Sequence, residues 1–159
     1  MAGNTLEIPR GFTGCLSKAG LGIAGTADRV KFTAPNGAGT DFAINGIAYH
    51  YADGDNVDTG AAAVQAADTT CLYLICASAA ASPAISVVKG EEVLNTETAA
   101  GTAAVHWPEP TAGTCPIGAV KVVTVAVTFT LGTTNFDAAG VTETWYDFAG
   151  GMPTAPLAS

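Results

Sequence analysis

Several groups of residues in this chain have types and spacing that invite a chemical reading. GLGIAG, Gly20 to Gly25, fits the G-x-G-x-x-G pattern, in which glycines let a helix N-terminus approach a pyrophosphate. That chemistry needs a buried strand before the glycines and a helix after them, and LSKA and TADRVKF supply neither. DGDNVD sets Asp53, Asp55 and Asp58 close together, as a calcium loop would, but misses the D-x-D-x-D-G spacing and has no glutamate twelve residues in. A solvated acidic loop is the expectation. His50 and His106 have no fixed spacing to a cysteine or to each other, so neither reads as a zinc ligand.

Cys15, Cys71, Cys76 and Cys115 contain no C-x-x-C, which predicts reduced, partly buried thiols. Cys71 and Cys76 fall in one apparent strand, pointing to opposite faces about 17 Å apart, and cannot bridge each other. No G-x-S-x-G is present, and the adjacent carboxylates Glu91 and Glu92 would face opposite sides of a strand. Tyr49, Tyr51, Tyr73, Trp107, Trp145 and Tyr146 are the residue types that line sugar sites, but they more often make core or subunit contacts. The resulting expectation is a non-enzymatic protein without cofactor or metal.

The elements that must position these residues are short strands. FAINGIAYHY sets Asn45-Gly46 between two apolar runs, a hairpin signal with Asp41 to Ile44 and Ile47 to Tyr51 as its arms. RVKF alternates, TTCLYLICAS reads as a buried strand, and AISVVKG reads as its return. A short strand is expected in EEVLNT, and loops are expected over residues 52–68 and 97–116, the latter broken by Pro108, Pro110 and Pro116. Val123, Val125, Val127 and Phe129 share one face of a period-two pattern running to Thr130, which predicts a core or interface strand. Because Val120 and Val122 follow the other phase, a bulge or tight reversal is expected between Val122 and Val123. GVTETWYDF supplies one more strand. The whole reads as an all-β antiparallel sandwich or barrel-like domain over residues 29–148, with an extended Gly/Ala-rich arm at 1–28 and a flexible tail at 149–159.

Composition narrows the partners. The 159 residues suit one domain plus arms, and the formal net charge of −8 argues against nucleic acid, which needs clustered Lys and Arg. Charged residues make up only 13%, against roughly 25% in an average soluble protein, so part of the surface is expected to lie against other chains. Arg10, Lys18, Arg29 and Lys31 make residues 1–40 weakly basic ahead of an acidic body. MAGNTLEIPRGF lacks a basic start followed by an apolar core, so cytoplasmic synthesis is the expectation. The uncharged run from Thr69 to Val88 contains Pro83 and several Ser and Thr, which reads against a membrane helix.

The order of INGIAYHY, DTTCLYLICAS, ISVVKGEEVL, CPIGAVKV and FTLGTTNFDAAGVTETWYD resembles a group of tailed-bacteriophage virion structural proteins. In that group an NG-x-x-Y hairpin, a CLYL strand, a VKG-E step, a P-IG-x-(V/I)KV strand and an F-x-GTT-x-(L/F)-x-AAGV element follow one another. The similarity covers about residues 40 to 148. Two departures are Leu131, where the group's pattern has proline, and VHWPEP in place of a simpler proline-rich linker. The resemblance implies an accessory protein on the virion exterior, either a capsid decoration (cement) protein or a head-fibre base. Its partner would be the major capsid protein and its assembly a trimer, with no catalytic residues carried over. A tail-fibre or spike module for host-surface carbohydrate is the alternative. On this reading the arm docks on the capsid through Ile8, Pro9, Arg10, Phe12 and Leu16, and deleting residues 1–28 abolishes attachment while leaving the β domain folded.

Overall fold

The computed structural model describes residues 11–60 and 62–149. Along them run β1 (Gly14–Cys15), β2 (Leu21–Ile23), β3 (Val30–Phe32), β4 (Thr40–Ile44), β5 (Ile47–Tyr51), β6 (Gly54–Val57), β7 (Thr69–Ser78), β8 (Ile85–Lys89), β9 (Val93–Leu94), the short helix α1 (Asn95–Ala100), β10 (Thr114–Thr124) and β11 (Val141–Asp147). They form three antiparallel sheets in the orders β1-β4-β5, β2-β3-β6 and β11-β10-β7-β8, with β9 also paired to β7. The domain is all-β, with its sheets packed together in a sandwich-like arrangement.

The centre is the β7–β10 pair. TTCLYLICAS is apolar on both faces, and every residue of β7 except Ser78 is buried. Tyr73, Val120 and Trp145 stand in register across one face, and Leu74, Ala119 and Tyr146 across the other. The first face is covered by the segment after β10: Phe129 packs on Tyr73 at 5.8 Å, Phe136 on Phe129 at 5.4 Å and Trp145 on Phe136 at 5.0 Å between ring centroids. The second receives Trp107, edge-on to Tyr146 and Phe148. Pro116 lies inside β10, where sequence reasoning placed a loop. It is tolerated because the β7 register shifts between Pro116 and Gly118, so the missing N–H falls at a bulge. Gly118 itself is required by close packing: a Cβ there would lie 2.3 Å from Leu21 Cδ1 and 2.6 Å from the Tyr146 oxygen.

The hairpin forms as expected. Asn45 and Gly46 both have positive φ, the conformation a two-residue I′ turn demands, and pairing runs from Ile44–Ile47 to Thr40–Tyr51. Other expectations change. The Val123–Thr130 strand is not formed; β10 ends at Thr124, and Val125 to Val127 make a bend with Ala126 at φ 56°. The buried phase is therefore the even one, Val120, Val122 and Thr124, while Val123 is half-buried and Val125 is 56% exposed. Phe129 is buried, but through an isolated bridge to Gln65. The reversal falls three residues later than expected because the Asp68 carboxylate accepts the Ala126 N–H at 2.9 Å and the Gly140 carbonyl accepts the Val125 N–H at 2.8 Å.

The boundary at residue 28 moves as well. Residues 14–28 contribute β1 and β2, and Cys15 and Ala19 are fully buried. Gly20 turns there at φ 63° where a Cβ would lie 1.9 Å from the Thr33 oxygen, so this stretch is docked rather than extended. The 52–68 loop contains β6, and EEVLNT divides into β9 and the start of α1.

Gln65 joins the covering segment to the sheet. It is fully buried, exchanges backbone hydrogen bonds with Phe129 (2.7 and 3.1 Å), donates its amide to the carbonyls of Thr69 and Val122 (3.1 Å each) and accepts the Tyr73 hydroxyl at 3.1 Å. Tyr73→Phe is expected to cost about 1–3 kcal/mol by leaving the Gln65 oxygen unpaired in the interior. A double-mutant cycle with Gln65→Leu by urea denaturation should show coupling above about 0.5 kcal/mol. Additivity within that margin would show that the two side chains act independently.

Candidate functional site

The glycine pattern and the acidic loop, remote in sequence, are brought together. Asp55 accepts the Gly25 N–H (3.0 and 3.3 Å to its two oxygens), Asn56 Oδ1 accepts the Thr26 N–H at 2.7 Å, and Asp53 accepts the Ala34 N–H at 2.7 Å. Asp58 pairs with the Arg29 guanidinium at 2.8 Å and accepts the Gly60 N–H at 2.9 Å. The guanidinium, with help from the Gly60 N–H, holds the Asp58 carboxyl below its ordinary range, and Asp58 raises Arg29 in return. These acids fasten the β2–β3 ribbon to β6 through backbone N–H groups. GLGIAG precedes no helix; Leu21–Ile23 is itself a strand.

The histidines lie in separate clefts. His50 Nδ1 is 2.8 Å from Asp41 on the exposed side of the hairpin, beside a cleft of about 440 Å³ lined also by Tyr51, Asp53 and Pro83. His106 borders a cleft of about 470 Å³ with Trp107, Pro108, Lys89, Gly90 and Glu91. Glu91 and Glu92 sit between β8 and β9, outside any strand. Glu92 pairs with Lys89 and accepts the Ala66 N–H at 2.9 Å, while Lys89 also donates to the Val64 carbonyl at 3.0 Å. Burial alone would raise Glu92, but the Lys89 ammonium and the Ala66 N–H outweigh it and hold the carboxyl below its usual value. Neither cleft brings a nucleophile, base and oxyanion donor together among the described residues.

All four cysteines are free and fully buried, deeper than the sequence suggested. Burial pushes the Cys71 and Cys76 thiols up to about 11, so both are protonated at neutral pH. No helix among the described residues is long and apolar enough to cross a membrane.

Of the residues proposed for docking, Ile8, Pro9 and Arg10 lie outside the described residues. Phe12 is half-buried with its ring over Gly14, where a Cβ would approach it to 2.9 Å, and Leu16 is 48% exposed. Sequence reasoning missed a set of exposed apolar side chains, Val64, Leu94 and Val125. They come from three segments tied at one end of the large sheet: Thr124 Oγ1 donates to the Ala66 carbonyl at 2.8 Å and Asn95 Nδ2 to the Thr124 carbonyl at 2.8 Å. Val125 belonged to a period-two face that the sequence assigned to core or interface, and Leu94 to the short strand expected in EEVLNT; neither pattern marked them as exposed together with Val64. Leu131, where the resembled group's pattern would have proline, is fully buried and serves as core.

Comparison of the chain with protein-family models, with curated proteins and with solved structures finds no match in any of the three.

Glu92→Gln is expected to lower stability by about 1–2 kcal/mol at pH 7, through loss of the charge-assisted bonds to Lys89 and Ala66. Because the folded carboxyl titrates below its unfolded value, this stabilisation is complete above the ordinary carboxylate range and is lost as pH falls through the folded value. Thermal midpoints of the two proteins should therefore converge on acidification. A constant gap down to pH 2 would show that the charge is irrelevant.

Proposed function

We propose that this protein is a non-enzymatic structural component of a tailed-bacteriophage virion, a capsid decoration protein that binds the outer capsid surface and stabilises the head. The observation that carries the reading is the ordered series of five motifs between about residues 40 and 148. In the folded chain these fall on the β4–β5 hairpin, on β7, on β8 with its Lys89–Glu92 step, on β10 and on the segment from Phe129 through β11. The resemblance therefore spans the frame of the large sheet rather than one local turn.

Two features support an attachment role. The polar groups that sequence singled out for chemistry are largely engaged with the chain's own backbone, as Asp53, Asp55, Asp58 and Glu92 show. Val64, Leu94 and Val125 are exposed on segments joined at one end of the sheet, where they offer apolar area to another macromolecule. A protein clamped across capsid joints works by adding buried area at many equivalent sites, which needs docking surface and no reaction. A trimer at local threefold positions is proposed by analogy with decoration proteins.

The deciding measurement is the molar ratio of this chain to the major capsid protein in purified virions, by quantitative mass spectrometry. A ratio of the same order is expected. A few copies per particle would move the assignment to a head-fibre, tail-fibre or spike component, and absence from virions would overturn it. Docking through the N-terminus is tested by deleting residues 1–10 only, because deletion through residue 28 also removes β1, β2, Cys15 and Ala19 from the fold. The short deletion is expected to keep the thermal midpoint and lose capsid occupancy at least tenfold. Undiminished occupancy would sink the docking role.

A further inference from the structure

Two buried thiols converge on a single acceptor. Cys15, in the two-residue β1, and Cys115, the second residue of β10, direct their Sγ atoms at one carbonyl, that of Pro116, at 3.7 and 3.6 Å. The bulge at Pro116 and Gly118 lies beside this carbonyl, and β1 packs over β10 there. Sharing that acceptor brings the two thiols close enough to influence each other's ionisation. The proximity of Cys115, then burial, pushes the Cys15 thiol up, whereas Cys15 draws the Cys115 thiol down against the opposing effect of its burial, so Cys115 ionises more readily. The other cysteines are placed differently. Cys76 pairs in register with Pro116 and Cys115 with Ala77, which puts the Cys76 and Cys115 side chains on opposite faces of the sheet. Cys71 donates to the Gly90 carbonyl at 3.4 Å.

We propose that Cys15 and Cys115 are a built-in site for a single reversible disulfide, formed when the protein meets a peroxide, that joins the N-terminal segment covalently to the central sheet. The steps balance. The Cys115 thiolate attacks the peroxide O–O bond, forming a sulfenic acid while the departing hydroxide takes up a proton to leave as water. The Cys15 sulfur then displaces the sulfenic hydroxyl, which leaves as a second water with the Cys15 proton. Two thiols and one hydrogen peroxide become one disulfide and two waters. Access comes from local opening of β1, a two-residue strand paired only with β4 in its sheet. The bond would close nearly two-thirds of the chain into a loop, where cross-linking most reduces the freedom of the unfolded state. A role in hardening particles after release from a reducing cytoplasm rests on the virion reading; formation of the bond does not.

The test therefore uses the purified full-length chain. After exposure to dilute hydrogen peroxide and digestion without reduction, mass mapping should find one bridged Cys15–Cys115 peptide with the loss of two hydrogens. Cys71 and Cys76 should alkylate only after unfolding, dithiothreitol should reverse the change, and the oxidised chain should melt about 10 °C higher. Cys15→Ala should abolish both the bridge and the gain. A Cys76–Cys115 bridge, an interchain cross-link, a lasting sulfinic acid at Cys115, or four free thiols after prolonged exposure would each overturn the proposal. Should Cys15→Ala fail to fold, mapping of the unaltered chain still decides. Oxidation of the same cysteines in virions is then read separately, and its absence there would count against hardening of the particle and not against the bond.

Discussion

The side-chain amide of Gln65 occupies a position where water cannot reach and where several groups need partners at once. Its two N–H donors go to the Thr69 and Val122 carbonyls, on the two central strands, and its oxygen takes the Tyr73 hydroxyl. Its backbone meanwhile bridges Phe129. The constraint runs outward from there. Fixing Phe129 against Tyr73 sets the place of Phe136, and Phe136 sets Trp145 on the edge strand. Each unmade hydrogen bond at such a site costs about 1–3 kcal/mol, so a shifted covering segment would lose polar pairing and aromatic contact together. Thr124 adds to this joint, accepting the Thr69 N–H at 3.2 Å and donating to the Ala66 carbonyl.

The same joint explains which parts of the fold were legible in sequence. TTCLYLICAS could be read because both its faces are buried, so no phase had to be chosen. Asn45-Gly46 was legible because only two residues set that turn. VVTVAVTFT misled because alternation records phase without recording where pairing stops. Its end is imposed by Asp68, more than fifty residues earlier in the chain, whose carboxylate holds Ala126 in a left-handed turn. Pro116 misled in the opposite direction, since a bulge that accommodates it depends on the partner strand. The exposed set Val64, Leu94 and Val125 had no local signature, because its members come from three separate segments.

The two look-alike motifs have a shared physical origin. A ribbon as short as β2–β3 has few ladder bonds, and its turn leaves N–H groups that need acceptors. Asp53, Asp55 and Asn56 supply them from β6 and its approach, and Gly25 lets a carboxylate come close: a Cβ there would lie 2.9 Å from Asp55 Oδ2. Glycine-rich turns are also what phosphate sites require, and closely spaced carboxylates are what calcium sites require. The sequence pattern is therefore shared, and only the direction in which the N–H groups and carboxylates point separates a self-satisfied ribbon from a ligand site. The thiols follow the same logic, since their burial makes them small apolar core residues except where two of them share one acceptor.

How the N-terminal segment is seated bears on any attachment made through it. Along β4 it is held by the Phe12 carbonyl accepting the Gly46 N–H, by Thr13 Oγ1 accepting the Asn45 N–H, by Leu16 donating to the Asp41 carbonyl and by Ser17 Oγ accepting the Asp41 N–H. These bonds flank the antiparallel pairing of Gly14 with Ala43 and of Cys15 with Phe42. Buried Cys15 then ties the segment to β10, one strand of the central pair, rather than to the hairpin alone. From Phe12 to Cys15 the chain thus passes from the hairpin to contact with the central pair. Any attachment made through the N-terminus is therefore coupled to the central sheet through Cys15 and not only through the hairpin.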